Sequence, residues 1–478
     1  MIRTLGIAAI SLTGVVFAFA PFQARQSPRP DARTNAHETA LDRYVRAPDP
    51  SFTWKVVRRL PAEGATATLI DMTSQRWLTE QEVEHPLWRH WVTVVTPPTV
   101  TTDAALLYIT GGRLDRDPPS TVPPWLIETA RDTGSVVAEL RLVPNQPIVF
   151  LDDPARKPRL EDDFLAYTWD HFLRTGDERW PARLPMTKSA VRAMDAVSAF
   201  EASQDGGGHR VSRFVVSGGS KRGWTTWTTA AVDTRVTAIA PLVIDVLNVE
   251  PSFIHHWRAY GAWSDAVKDY VEHGIMDWIG TAPYHRLMHI EDPYEYRDRL
   301  TMPKMLVNAS GDQFFLPDSS QFYFDDLKGE KHLRYVPNTN HGLEKSDAID
   351  TVEAFYAAVV TGTPRPEITW TFEKNGSIKA VAKSRPDTVT LWQATNPDAR
   401  DFRLDTIGPA YTSTPLSPEG PNTWIARPKQ PAKGWTAAFI EFTFPTGGPH
   451  PLKLTTAVRV LPDTLPFPPP QPRRPASR

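Results

Sequence analysis

The 478-residue sequence contains no cysteine. That absence excludes disulfides, thiolate metal centres, a cysteine nucleophile and a lipid anchor attached through cysteine. An excess of charge of one sign is missing too: 53 Lys plus Arg stand against 55 Asp plus Glu, a formal net charge of −2, without long single-sign blocks. A dedicated nucleic-acid binder draws its sequence-independent affinity from a basic surface, so that class is excluded. Beyond the first two dozen residues no apolar run approaches the ~20 residues of a membrane-spanning helix. What remains is ordinary for a globular protein, with 41% hydrophobic and 23% charged residues, and 46 prolines as the one excess. A chain of this length holds two or three domains and a core large enough to bury a catalytic centre.

The first residues read as an export signal. Arg3 supplies the charged start, Leu5 to Ala20 the apolar stretch, and Ala18, Ala20 and Ala24 the small residues of a cleavage site. Pro21 disfavours a cut after Ala20, so the signal is assigned to residues 1–24, and the mature protein is expected in a periplasm or outside the cell. Residues 25–50 form a polar, Pro-containing lead-in.

Three β-rich segments come next, Phe52 to Leu60, Ala65 to Ile70 and Trp91 to Thr96, before any convincing helix, and are expected to form an antiparallel edge. From Ala104 the rhythm becomes apolar strand, turn, helix. Strands are predicted at Ala104 to Thr110, Ser135 to Leu140, Arg213 to Ser217, Val236 to Ile244, Lys304 to Ala309 and His332 to Val336, and helices over Pro185 to Phe200 and Lys345 to Val360. Near-continuous apolar strands alternating with helices imply a mostly parallel sheet covered on both faces, an α/β domain over residues 51–362. Thr361 to Pro366 is a Gly/Pro linker. Beyond it only short strands remain, and residues 366–464 are expected to form an all-β sandwich of immunoglobulin or fibronectin-III type. Residues 465–478 are a Pro-rich tail expected to be disordered.

The chemistry concentrates in Arg213-Phe-Val-Val-Ser-Gly-Gly-Ser220-Lys-Arg-Gly-Trp224. An apolar strand, a glycine-preceded serine and a helix start place the serine hydroxyl at the apex of a sharp turn, with the helix N-terminus aimed at the same spot. That arrangement suits a nucleophile, and the backbone N–H of Lys221 is placed to receive a developing oxyanion. The pattern departs from G-x-S-x-G, since Arg222 stands at the second position after the serine and Gly223 at the third. A glycine-rich turn with an idle serine is the bland alternative.

Two further strand ends carry the partners. Lys304 to Ala309 runs into Ser310-Gly-Asp312, and His332 to Val336 into Pro337-Asn-Thr-Asn-His341-Gly342. Ser220, Asp312 and His341 thus follow in order, 92 and then 29 residues apart, each just past the carboxyl end of a strand. Strand ends in one parallel sheet converge, so the three can meet there: Ser220 as nucleophile, His341 as general base and Asp312 as the residue orienting the imidazole. Asp245, at the end of the preceding strand, is the alternative acid, with Asp318 also close. Thr110-Gly-Gly-Arg113 is the glycine-rich turn from which Gly112 or Arg113 would offer the second oxyanion N–H.

The runs Arg141-Leu-Val-Pro-Asn-Gln-Pro147, Leu184-Pro-Met-Thr-Lys-Ser-Ala190, Ala193-Met-Asp-Ala196, Gly219-Ser-Lys-Arg-Gly-Trp224, Ala240-Pro-Leu-Val-Ile-Asp-Val-Leu-Asn248, Asp312-Gln-Phe-Phe-Leu-Pro317 and Tyr335-Val-Pro-Asn338 resemble the PhoPQ-activated pathogenicity-related protein family, which includes autocrine proliferation repressor-like proteins. The resemblance covers about residues 40 to 460. It implies an exported α/β-hydrolase fold with Ser220, Asp312 and His341 at the triad positions, and it supplies no substrate.

The segment of about residues 248–300 is too long for a simple loop, and 251–300 carries nine aromatic residues, among them Trp257, Trp263, Trp278 and Tyr284. It reads as a cap whose aromatics form its own core and whose Trp257 and Trp263 offer an apolar wall to a substrate. His255, His256, His285 and His289 show no recognised zinc spacing, so no metal and no cofactor are expected. Lys221 and Arg222 are the other clue. The run Gly218-Gly-Ser220-Lys-Arg-Gly223 is similar to the segment of glucuronoyl esterases in which a basic residue follows the nucleophile, so Arg222 is a candidate for binding an acidic substrate group. Pairing of both cations with Glu161, Asp162 or Asp163 is the competing expectation. An exported serine hydrolase acting on a small ester or peptide follows. A secreted binding or signalling protein on a hydrolase fold is the alternative, and so is a dipeptidyl-peptidase-like enzyme, although only about a hundred residues precede the strand at Ala104, too few for a propeller domain.

Overall fold

A computed structural model of the chain describes residues 38–471. The predicted export signal, residues 25–37 of the lead-in and residues 472–478 of the tail lie outside the described residues.

The rest of the lead-in holds a helix that the sequence reading missed, α1 (Ala40–Arg46). Its start is a capping box: the Asp42 N–H donates to Thr39 Oγ1 at 3.2 Å and the Thr39 N–H to Asp42 Oδ2 at 2.9 Å. Buried Lys188 closes its other end by donating to the carbonyls of Tyr44 and Ala47. A single two-turn helix presents too short a pattern for periodicity to find.

Strands β1 (Thr53–Leu60), β2 (Thr66–Arg76) and β3 (Leu87–Thr96) form the expected antiparallel edge. After them come β4 (Ala104–Ile109), α2 (Pro124–Thr133), β5 (Val136–Leu140), α3 (Glu161–Thr175), α4 (Arg183–Glu201), β6 (Arg213–Gly219), α5 (Lys221–Val232) and β7 (Val236–Leu242). The segment read as a cap is helical, with α6 (Val249–Tyr260), α7 (Lys268–Glu272) and α8 (Ala282–Glu291) joined by 3₁₀ turns. It is followed by β8 (Lys304–Ala309), β9 (Lys331–Val336) and α9 (Ala348–Thr361). The nine strands make one sheet in the order β1-β2-β3-β5-β4-β6-β7-β8-β9, parallel from β5 to β9. β4 (AALLYI) and β8 (KMLVNA) are all but fully buried, as a sheet covered on both faces requires. Behind the sheet α4 is buried on nearly every face, and its Arg183 donates to the Lys221 carbonyl at 2.9 Å, pinning the start of α5.

The C-terminal part contains two antiparallel sheets. One is built from β10 (Ile368–Phe372), β11 (Ile378–Ala382) and β14 (Thr423–Ala426); the other from β12 (Thr388–Asn396), β13 (Thr412–Pro415), β15 (Trp435–Phe444), β16 (Leu452–Thr455) and β17 (Arg459–Leu461), with α10 (Leu404–Ile407) between β12 and β13. Trp424 of β14 meets Phe442 of β15 edge-on at 5.4 Å, so the sheets face each other as a sandwich. The long apolar run of β15 has a second cause. Ala438, Ile440 and Phe442 point into the sandwich core while Ala437 and Phe439 join the hydrolase core, where Phe439 lies 6.2 Å from Tyr335 of β9. The described part of the tail touches α6: the Phe467 N–H donates to Arg258 O at 3.1 Å and its ring covers Gly261 at the end of α6.

Candidate active site

The order of the sheet reverses between β4 and β6: the chain leaves β4 for β5 on one side and reaches β6 on the other. A crevice opens beyond the carboxyl ends at such a point. Ser220 follows β6 there with φ 56° and ψ −125°, a backbone conformation rare for a residue with a side chain. Surroundings enforce it. The Ser220 N–H is held by Leu242 O at 2.9 Å, and its carbonyl accepts the Trp224 N–H. Gly223 explains the departure from G-x-S-x-G: a Cβ there would lie 2.9 Å from the carbonyl oxygens of both Gly218 and Leu242, so this glycine, one place later, lets α5 pack onto β6 and β7. As first residue of α5, Lys221 leaves its N–H unpaired by the helix.

The Asp312 and His341 side chains meet. His341 Nδ1 lies 2.8 Å from Asp312 Oδ2, and Asp312 Oδ1 accepts the N–H groups of Phe314 and Phe315. With Nδ1–H given to the carboxylate, Nε2 carries the lone pair, and this buried nitrogen has no hydrogen-bond partner among the described residues. No hydrogen bond joins it to Ser220 Oγ among the described residues. Phe314 and Phe315 pack on the imidazole at 4.4 and 5.8 Å between ring centroids, and Gln313 Oε1 accepts the His341 N–H at 3.1 Å. These three residues were inside the Asp312 motif but given no role, because nothing in a linear run shows which side chains fold back on the histidine.

The alternative acids are corrected by their partners. Asp245 is buried with both oxygens occupied, accepting the Tyr323 and Tyr335 hydroxyls at 2.5 and 2.6 Å. Burial pushes its carboxyl up to about 7, and the nearby Asp312 and Asp318 add to the rise while the tyrosines oppose it. Asp318 is taken by Arg400 and His255.

The cations beside the serine are also committed to the fold. Arg222 donates to both oxygens of Glu161 at 2.9 and 2.6 Å, and Lys221 Nζ lies 2.7 Å from Asp162 Oδ2. Their side chains are 12% and 9% exposed, and the assignment of Arg222 to an acidic substrate group is corrected in favour of the competing expectation: its guanidinium is already paired with Glu161. Burial alone would raise the Glu161 carboxyl, but Arg222, Lys221 and the Gln146 hydrogen bond hold it down at about 2. Asp163, the third carboxylate considered, pairs with Arg159, Lys157 and His273 instead.

In the turn after β4, the N–H groups of Gly112 and Arg113 donate no hydrogen bond among the described residues, while the Arg113 side chain pairs with Asp115. Trp257 and Trp263 pack against each other with tilted rings at 5.1 Å, half-buried, and Trp263 also packs on Phe253 and His256. The next residue, Ser264, donates to Gln313 O at 2.9 Å, so the helical segment touches the loop that carries Asp312. The histidines there have separate partners: His255 pairs with Asp318, His256 accepts the Ser264 N–H, His285 pairs with Glu250 and His289 with Glu295. Among the described residues one group, Asp350, Glu353 and His450, brings potential metal ligands together. It lies on α9 and the β15–β16 loop, away from Ser220, where His450 pairs with both carboxylates at 3.4 and 3.5 Å.

A nine-stranded, mostly parallel sheet flanked by helices, with a serine on the strand-to-helix turn of a central strand, defines an α/β-hydrolase fold. The family model described as PhoPQ-activated pathogenicity-related protein matches residues 41–403, and the chain belongs to that family. Autocrine proliferation repressor protein A of Dictyostelium discoideum is 36% identical over 458 residues, covering 90% of this chain and 92% of that protein. Among solved structures, acetyl xylan esterase from Paenibacillus sp. R4 aligns with a TM-score of 0.47 at 16% identity, over 69% of this chain and 96% of that one. Glucuronoyl esterase from Solibacter usitatus aligns with a TM-score of 0.37 at 14% identity, over 67% and 90%. No helix among the described residues is long and apolar enough to cross a membrane.

Proposed function

We propose that the protein is a serine hydrolase, exported by its first 24 residues, that cleaves a small ester or peptide bond. Ser220 Oγ attacks the substrate carbonyl, His341 Nε2 takes its proton and returns it to the leaving group, and Asp312 holds the imidazole in the tautomer that leaves Nε2 free. The N–H of Lys221, with that of Gly112 or Arg113, receives the oxyanion. The observation that carries this reading is the pairing of Nδ1 with Asp312 while Nε2 is buried without a partner among the described residues. Because Lys221 and Arg222 are each neutralised by a carboxylate, the scissile bond needs no acidic neighbour, and a neutral ester is the better substrate class.

A fluorophosphonate probe tests it. The mature protein should be labelled and Ser220→Ala should not, both folding alike by circular dichroism. Equal labelling of the two would leave a secreted binding or signalling protein on a hydrolase fold as the surviving reading.

A further inference from the structure

The turn that offers the second oxyanion donor is gripped from outside. Gly111 C=O accepts the Leu142 N–H at 3.0 Å, and Gly112 C=O accepts the Gln146 side-chain N–H at 3.1 Å. Leu142 and Gln146 both follow β5, which lies on one side of β4; β6 and Ser220 lie on the other. A trans peptide points its N–H away from its C=O. Two successive carbonyls turned to the β5 side therefore turn the Gly112 and Arg113 N–H groups to the β6 side. Gly112 itself has φ 139°, a backbone conformation open to glycine and strained for a residue with a side chain.

Gln146 is itself locked. Its Nε2 also donates to Glu161 Oε1 at 2.6 Å and its Oε1 accepts the Glu161 N–H at 2.8 Å, so only one orientation of the amide satisfies every partner. Glu161 then holds Arg222, two residues past the nucleophile, with both oxygens. The circle closes sterically, since Arg222 Nη2 occupies the place that a Cβ on Gly111 would need.

We propose that Gln146, Glu161 and Arg222 form one hydrogen-bonded clamp joining the nucleophile turn to the oxyanion turn, with Gln146 as the positioning residue that aims the Arg113 N–H at the oxyanion. The clamp rests on the reading of Ser220 as nucleophile. It sets the donors on the β4 side and the first turn of α5 in one unit, so the two halves of the oxyanion hole keep a fixed spacing before substrate arrives.

The test uses p-nitrophenyl acetate turnover and fluorophosphonate labelling of the full chain. Gln146→Leu removes the amide that holds Gly112 C=O. Its kcat should fall about tenfold to a hundredfold, somewhat less than the loss on deleting an oxyanion donor outright. KM should stay unchanged, as should the acidic limb of the pH profile of kcat/KM, because the Asp312–His341 pair is untouched. Gln146→Met, which keeps an unbranched side chain of similar length, should behave alike. Arg222→Lys keeps a charge beside Glu161 but loses the fork, and should move kcat in the same direction by a smaller factor. Wild-type kcat in both Gln146 variants would overturn the clamp, and so would a KM rise or a shift of the acidic limb matching the fall in kcat. If the wild type is not labelled, or Ser220→Ala is labelled equally, the nucleophile reading fails and the clamp falls with it, an outcome visible before any Gln146 variant is made.

Discussion

Strands β7 and β8 lie side by side, and each is followed three residues later by a buried aspartate, Asp245 after Leu242 and Asp312 after Ala309. Asp312 accepts two backbone N–H groups and faces an imidazole; Asp245 accepts two phenolic hydroxyls. The same residue at the same place in the fold therefore carries different chemistry, decided by partners from other elements. A hydroxyl donor satisfies a buried carboxyl without favouring its charge as strongly as an imidazolium would, and Asp245 is pushed up to about 7.

The sharpest way to break this comparison is turnover. Asp312→Asn should lower kcat by up to about 10⁴-fold, because the histidine then favours the wrong tautomer. Asp245→Asn should keep most of the wild-type rate. A ranking in the opposite order in an esterase assay would move the acid to β7.

A smaller effect is expected in stability. Tyr323→Phe and Tyr335→Phe each strip one donor from Asp245, and each should cost about 1–3 kcal/mol in urea unfolding while fluorophosphonate labelling persists. Loss of labelling in a folded variant would tie Asp245 to the site after all.

Smaller again are two pH effects of opposite sign. Asp245 in the folded chain holds its proton from its free value of 3.8 up to about 7, whereas the unfolded chain has released it. This group's contribution is therefore greatest below the lower limit and is lost as pH rises through that window. Asp245→Asn should flatten the thermal midpoint across the same range. Glu161 runs the other way: held down at about 2, it contributes above its free value of 4.5 and that contribution fades as pH falls toward 2. Glu161→Gln should flatten the midpoint only on that acid side.

Much of this arrangement was legible from the sequence for a physical reason. Strands buried on both faces are written as apolar runs, so β4, β6 and β8 and the residues at their ends could be placed directly. Partner choice was not legible. Tyr323 and Tyr335 stand 78 and 90 residues from Asp245, and Glu161 stands 61 from Arg222, so only the folded sheet brings them together. The strands β13, β16 and β17 have only three or four residues, too few to show a period, and are held by pairing with longer neighbours.

The Gly/Pro linker at 361–366 looks like a natural place to divide the chain, yet the loops bearing Asp312 and His341 lean on what lies beyond it. The Leu404 N–H donates to Gly311 O at 3.0 Å, and Asn338 exchanges two hydrogen bonds of 2.9 Å with the Tyr411 backbone. The Tyr335 N–H donates to Thr455 Oγ1, and Phe439 covers the Tyr335 ring. A truncated protein ending at the linker would keep every residue assigned to catalysis and lose the splints of two of the four loops that carry them. In this molecule the covalent boundary and the boundary of the working unit do not coincide.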